Sequence, residues 1–234
     1  FGVTGSGKTQ VYMRLIDRAL QAGKSAIVLV PEIGLTPQLI RKFMAQFGSC
    51  TAVLHSALSV GERYDSWKRI RSGEARVIVG TRSAVFAPAQ NLGLIILDEE
   101  QDDAYKSENS PRYHARDVAK YRAMQENAFV LLGSATPAIE TFYGAETGKY
   151  PVLHLRERYS GAALPRVTIA DMRGTIQQGY ISAIGPVLRQ AMQRCFAEGH
   201  QCILFLNRRG AAKQVTCPSC GWTPACPSCS VSMT

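Results

Sequence analysis

The sequence predicts an α/β protein built on an open parallel sheet with helices on both faces. Three features predict it: short apolar runs of strand length, helical patterns alternating with them, and small or acidic residues where each run ends. Strands covered on both faces read as continuous apolar runs because neither face meets water. A glycine-rich loop opens the chain and leads into helical spacing over 11–22, with Val11, Leu15, Ala19 and Leu20 on one side. Residues 25–30 read as a buried strand closed by Pro31. Helical spacing returns after Thr36, a good N-cap with Pro37 at the first helical position. A short strand over 52–54, an exposed helix over 60–72 and a strand over 76–79 follow. Residues 92–97 are a continuous apolar run ending in acids. A helix over 115–126, a strand over 128–132 and a helix opening over 137–144 complete the pattern.

Beyond this lies a polar stretch with Pro165, Gly174 and Gly179, then a helix over 184–198 and a strand over 201–206. The expected organisation is a first lobe over 1–155, a linker or crossover over 156–180, the start of a second α/β lobe over 181–216, and a Cys-rich module over 217–234. Only Phe1 stands before Gly2, so the strand that should precede the first loop is missing. The chain is expected to be a piece of a longer one, cut at both ends.

Hydrophobic residues at 46% and charged residues at 19% fit a globular core. No apolar run approaches the roughly 20 residues needed to span a bilayer, and no signal peptide opens the chain. A membrane is therefore not an expected partner, and the cytoplasm is the expected compartment. Lys and Arg outnumber Asp and Glu by 27 to 18, a formal +9 that favours a polyanionic partner, nucleic acid first. Four of the seven cysteines form Cys217-x2-Cys220 and Cys226-x2-Cys229. That spacing lets thiolates clamp a tetrahedral Zn²⁺ of structural type, with a redox CxxC as the runner-up. Cys50, Cys195 and Cys202 read as packing residues.

Gly2-Val3-Thr4-Gly5-Ser6-Gly7-Lys8-Thr9 satisfies the phosphate-loop pattern G-x-x-x-x-G-K-[ST] at every fixed position. Its glycines let backbone N–H groups converge on phosphate oxygens, Lys8 can reach the terminal phosphates of ATP, and Thr9 can place its hydroxyl on Mg²⁺. Such a loop needs acids at the end of another strand. The run over 92–97 delivers Asp98-Glu99-Glu100: Asp98 would hold Mg²⁺ and Glu99 would polarise the attacking water. Three further strand-end clusters, 31–36, Gly80-Thr81-Arg82-Ser83 and Gly133-Ser134-Ala135-Thr136-Pro137, would share one edge of the sheet. Thr81 and Arg82 there suit the phosphates of a nucleic-acid strand.

A phosphate loop, Gly-Thr-Arg-Ser, the DEE triplet and Ser-Ala-Thr in this order resemble the motifs of superfamily 2 helicases. Val30-Pro31-Glu32-Ile33-Gly34-Leu35-Thr36-Pro37-Gln38, Pro111-Arg112-Tyr113-His114-Ala115-Arg116-Asp117 and Leu206-Asn207-Arg208-Arg209-Gly210 narrow the resemblance to the primosomal protein N′ (PriA) family of replication-restart helicases. It implies a RecA-like first lobe and a partial second RecA-like lobe, with hydrolysis in the cleft ratcheting single-stranded DNA. It also implies 3′ to 5′ unwinding at forked DNA, and single-stranded DNA-binding protein and other primosome proteins as partners. One departure is Gln101, where the family usually has His; coupling of hydrolysis to DNA is expected to be altered rather than lost.

The resemblance implies an aromatic-rich loop that senses single-stranded DNA at Tyr105, Lys106, Arg112 and Tyr113. Physically, rings stack on bases and cations hold phosphates. It implies further CxxC pairs downstream and two interleaved zinc sites, so the four cysteines here would be short of partners. It also implies an arginine finger in the second lobe beyond this chain, so the chain alone is expected to bind nucleotide weakly and hydrolyse it poorly. Two rival readings stay open: an RNA helicase or other superfamily 2 translocase, and a docking module for partner proteins switched by nucleotide.

Overall fold

The computed structural model describes residues 1–159, 161, 163, 165–172 and 184–205, leaving aside the side chain of Ile33. Two compact units divide the chain, Phe1–Leu164 and Pro165–Thr234. The first is the α/β lobe expected from the sequence. Its elements are α1 (Lys8–Gln21), β1 (Ser25–Leu29), α2 (Pro37–Phe47), β2 (Thr51–Leu54), α3 (Val60–Arg71), β3 (Val77–Gly80), β4 (Leu92–Asp98), α4 (Ala115–Glu126), β5 (Phe129–Gly133) and α5 (Ile139–Glu146). The five strands pair in the order β2-β3-β1-β4-β5, and every pairing is parallel.

Alternation along the strands divides the core. Ile27, Leu29, Ile78, Ile95 and Leu97 face one way, packing with Ile70 of α3 and Ala115 and Ala119 of α4. Ala26, Val28, Val77, Val79 and Ile96 face the other, packing with Tyr12 and Ile16 of α1 and Phe43 of α2. Helices thus cover both faces, and the apolar runs have no polar alternation because both sides are core. The small α4 residues on the buried side let that helix lie close to the sheet.

Helix ends follow local chemistry. Thr36 Oγ1 accepts from the Leu39 N–H at 3.2 Å, capping α2 with Pro37 in its first turn. Ser59 and Glu62 form a reciprocal capping box at the start of α3. α1 begins three residues before the predicted start, since Lys8, Thr9 and Gln10 are polar and carry no apolar spacing to reveal the first turn.

Gly2 lies beside the residue that follows β5, outside the five-stranded sheet. The Gly2 N–H donates to the Ser134 carbonyl at 3.0 Å, and Gly2 forms a parallel bridge with Leu155. In the second unit the described residues hold one helix, α6 (Pro186–Ala197), capped by Gly185. Residues 201–205, the described part of the strand predicted over 201–206, form no strand pairing among the described residues, and Ile203 and Phe205 lie exposed. An apolar run becomes a strand only against a partner edge, and none is described in that unit. No described helix is long and apolar enough to cross a membrane. The Arg208–Arg209 segment and Cys217, Cys220, Cys226 and Cys229 lie outside the described residues.

Candidate nucleotide and nucleic-acid site

Gly5 and Gly7 adopt φ values of 79° and 87°, in the left-handed region that glycine enters without steric cost. Gly7 is also the N-cap of α1 and offers no capping side chain. The first N–H groups of the helix therefore have no intrahelical acceptor and face the loop, an arrangement suited to an anion. Lys8 Nζ donates to the Gly2 carbonyl at 3.0 Å and lies 3.7 Å from Glu99 Oε1. Ser6 Oγ is buried with no hydrogen-bond partner. A phosphate oxygen would satisfy it.

The opposite wall of this cleft is the end of β4. Asp98 closes the strand in register with Gly133, and the Tyr12 hydroxyl donates to Asp98 Oδ1 at 2.8 Å. Burial raises the Asp98 carboxyl above its ordinary pKa, and the hydrogen bond from Tyr12 works against that rise. Burial, reinforced by the neighbouring Asp98 charge, raises the Tyr12 phenol as well. Gly133 is required here, because a Cβ at that position would overlap the Tyr12 hydroxyl. Tyr12 was not singled out from the sequence. Its signal was available, since it stands one helical turn after Lys8 on the same side of α1. The Thr9 hydroxyl and the Asp98 carboxylate are hard oxygen donors of the kind Mg²⁺ takes, so the residues present fit that ion.

The turn after β4 separates three consecutive side chains. Glu99 sits at φ 47°, a left-handed conformation uncommon outside glycine, and its carboxylate lies beside Lys8. Gln101 Nε2 donates to Glu99 Oε2 at 3.0 Å, while Gln101 Oε1 accepts from Ser134 Oγ at 2.6 Å. Ser134 Oγ in turn accepts from the Thr136 N–H at 2.8 Å. Gln101 thus joins Glu99 to the Ser-Ala-Thr loop. Glu100 turns inward, 1% exposed, and accepts from Arg116 Nη1 at 2.9 Å, Thr141 Oγ1 at 3.0 Å and the Ala138 N–H at 2.8 Å. Neither Glu100 nor Arg116 received a role from the sequence.

The residues expected at the nucleic-acid edge divide between surface and core. Tyr105 corrects the expectation: its ring is wholly buried, and its hydroxyl donates to the Asp98 carbonyl at 2.6 Å and the Leu29 carbonyl at 2.9 Å. A ring enclosed on both faces cannot stack on a base. Thr81 is likewise 5% exposed, held in the turn that follows β3, and has too little surface for a phosphate contact. Arg82 Nη1 donates to the carbonyls of Lys106 at 2.5 Å and Ala104 at 3.3 Å, and its guanidinium lies 5.8 Å from the Tyr113 ring. Tyr113 is half-buried and meets Phe86 edge to face. Lys106 and Arg112 are exposed. An antiparallel bridge between Lys106 and His114 closes the loop at its base.

Two cavities flank this cleft. A cleft of about 420 Å³ beside β5 and α5 is lined mostly by apolar groups, including Val130, Leu132, Phe142 and Leu153. A smaller one of about 350 Å³ touches Ser6 together with His154, Arg156 and Glu157. Among the described residues, no group of three or more His, Cys, Asp or Glu could hold a metal ion.

The family model for DEAD/DEAH box helicases matches residues 2–143, more than half of the chain and all of the phosphate loop and β4 acids. The chain belongs to the DEAD/DEAH box helicase family. Within the family, it is 48% identical to replication restart protein PriA of Bacillus subtilis (strain 168) over 100% of this chain and 29% of that protein. It is 47% identical to PriA of Synechocystis sp. over 99% of this chain and 28% of that one. PriA of Haemophilus influenzae is 45% identical over 97% of this chain and 31% of its own length. The resemblance to PriA drawn from the motifs is borne out. This helicase chain spans about three-tenths of the length of the curated relatives it matches.

Proposed function

We propose that this chain is the nucleotide-binding part of an ATP-driven DNA helicase acting in replication restart. The observation that carries the reading is the cleft in which α1 meets the end of β4: Lys8 lies 3.7 Å from Glu99, and Tyr12 bonds Asp98 at 2.8 Å. The backbone over residues 2–9 and the Lys8 ammonium bind the phosphates of ATP. Thr9 and Asp98 would hold Mg²⁺, which when bound draws charge from the phosphoryl oxygens. Glu99 takes the proton of the attacking water, and Gln101 holds the Glu99 carboxylate in place from the Ser134 side.

Single-stranded DNA lies across the carboxyl edge of the sheet, where loops of parallel α/β folds gather ligands. Arg82, Lys106 and Arg112 would meet its phosphates and Tyr113 a base, so contact is independent of sequence. Forked DNA, 3′ to 5′ direction, single-stranded DNA-binding protein and primosome partners, and a cytoplasmic setting belong to the same reading. So do the second RecA-like lobe over 181–216 and structural Zn²⁺ at Cys217, Cys220, Cys226 and Cys229. The experiment is ATP turnover by the whole protein with no nucleic acid, with single-stranded and forked DNA, and with RNA. DNA is expected to stimulate strongly and RNA weakly. Equal stimulation by both would replace the reading with that of an RNA helicase or a general translocase.

A further inference from the structure

We propose that Tyr159 is the platform on which the adenine base of the nucleotide stacks, and that residues 154–159 form the base side of the ATP site. It rests on the reading above, that ATP binds at the phosphate loop, and adds where the rest of the nucleotide lies.

The order of elements across the site gives the nucleotide its direction. Asp98 pairs with Gly133, the Gly2 N–H bonds the Ser134 carbonyl at 3.0 Å, and Gly2 bridges Leu155. Going outward from β4, the chain therefore presents the acids, the Ser-Ala-Thr loop, the phosphate loop and then the 154–159 segment. Lys8 and Glu99 stand 3.7 Å apart on the inner side of that row. With its terminal phosphate toward Glu99, a nucleotide extends away from β4, and its base reaches the side on which residues 154–159 lie.

This segment is fastened to the phosphate loop along its length. The Leu155 N–H donates to the Phe1 carbonyl at 2.8 Å, and the Tyr159 N–H donates to the Gly5 carbonyl at 2.9 Å. Gly2 permits the approach, since a Cβ there would lie 3.0 Å from Leu155 Cβ and 2.6 Å from Ser6 Oγ. The Gly161 N–H donates to the Arg158 carbonyl at 2.9 Å, closing a turn that contains Tyr159. The Tyr159 backbone is thus pinned to the phosphate loop, while the residue is 91% exposed. A ring held one hydrogen bond from the loop and left open offers its face to a base, because stacking asks only for a flat apolar surface.

Polar groups around the ring suit the remainder of the ligand. A notch of about 350 Å³ lies between Ser6 and the 154–157 stretch. Ser6 Oγ and Arg158 Nε, one on each side of this seam, are buried without a hydrogen-bond partner among the described residues. Two such donors call for acceptors, and the ribose and phosphate oxygens of a nucleotide supply them. An apolar ring with a few polar groups beside it is the usual make-up of a small-molecule site.

Tyr159→Ala and Tyr159→Phe in the whole protein test this, with inorganic tripolyphosphate as a ligand that has no base. The readouts are the Kd for ATP and for tripolyphosphate, the KM and kcat of ATP turnover, the oligonucleotide Kd and thermal melting. Tyr159→Ala is expected to weaken ATP binding and raise its KM about 10-fold, the size of one base stacked on an aromatic ring. Its kcat, tripolyphosphate affinity, oligonucleotide Kd and melting should stay unchanged, and Tyr159→Phe should bind ATP as the unsubstituted protein does. Unchanged ATP affinity in Tyr159→Ala, equal loss for ATP and tripolyphosphate, or a loss confined to the oligonucleotide overturns the proposal. If the unsubstituted protein binds neither ATP nor tripolyphosphate, the functional reading fails with it, and that failure is recognised without any variant.

Discussion

The turn after β4 has two sides with opposite physics. Toward α1, Glu99 is partly open and faces Lys8, and the nearby Asp98 carboxyl is raised by burial while Tyr12 holds it. Toward α4 and α5, Glu100 is enclosed and bonded by three donors from distant segments. Neighbouring glutamates separated by one peptide bond therefore serve different ends. The open side keeps a charge available for a ligand, whereas the closed side spends its charge on holding helices. Left-handed backbone at Glu99 is what turns the two carboxylates apart.

Breaking the open side should have the largest effect. Lys8→Ala or Glu99→Gln is expected to lower ATP turnover by about 10²–10⁴-fold, the range for removing a charge stabiliser or general base, with melting temperature nearly unchanged. Loss confined to stability would place both residues on the wrong side of the comparison. The closed side should respond the other way: Glu100→Ala is expected to cost about 3–5 kcal/mol in urea unfolding, because it strands the Arg116 charge, while nucleotide still binds.

A subtler contrast sets two tyrosines of one loop against each other. Tyr105→Phe removes the donor to the Leu29 and Asp98 carbonyls and should cost about 1–3 kcal/mol of stability, leaving DNA affinity alone. Tyr113→Ala should weaken single-stranded DNA binding by about 1–3 kcal/mol, the usual worth of a base on an aromatic ring. If Tyr105→Phe weakened DNA binding more than Tyr113→Ala did, burial would be the wrong guide to this loop.

The smallest effect concerns His114, the cap of α4. Burial, with the Arg116 charge second, lowers its pKa from the usual 6.5. A lowered folded value means the neutral ring is favoured by folding. Stability from this residue is present above pH 6.5 and fades as pH falls through the lowered value. Melting should therefore decline modestly from pH 8 toward pH 5.5. His114→Asn keeps a capping side chain without titrating and should flatten that part of the curve; an identical slope in both proteins would exclude His114 as its source.

How legible these features were depended on distance along the chain. The phosphate loop lies within eight residues, so its spacing alone carried the geometry. The parallel sheet was readable because each strand bears its own apolar run, and burial on both faces leaves the same mark wherever the strand sits. Tyr105 was misread because aromatic character fixes a residue's type and not its direction. The 3₁₀ turn over Asp103–Tyr105 swings the ring under β1, and nothing local announces it. Glu100 was silent for a related reason: its partners lie 16, 38 and 41 residues away. Residues 201–205 show the converse case, an apolar run that forms no strand among the described residues.

The central claim is that the first turns of α1 and the end of β4 form one site for a metal-bound triphosphate. Calorimetric titration of the protein with ATP tests it most directly, run with Mg²⁺ and with a chelator, and repeated for Lys8→Ala and Asp98→Asn. Binding strengthened by Mg²⁺ is expected in the unsubstituted protein alone; Lys8→Ala should lose affinity under both conditions, and Asp98→Asn should lose only the dependence on the metal. Binding that persists unchanged in both variants would contradict a shared cleft.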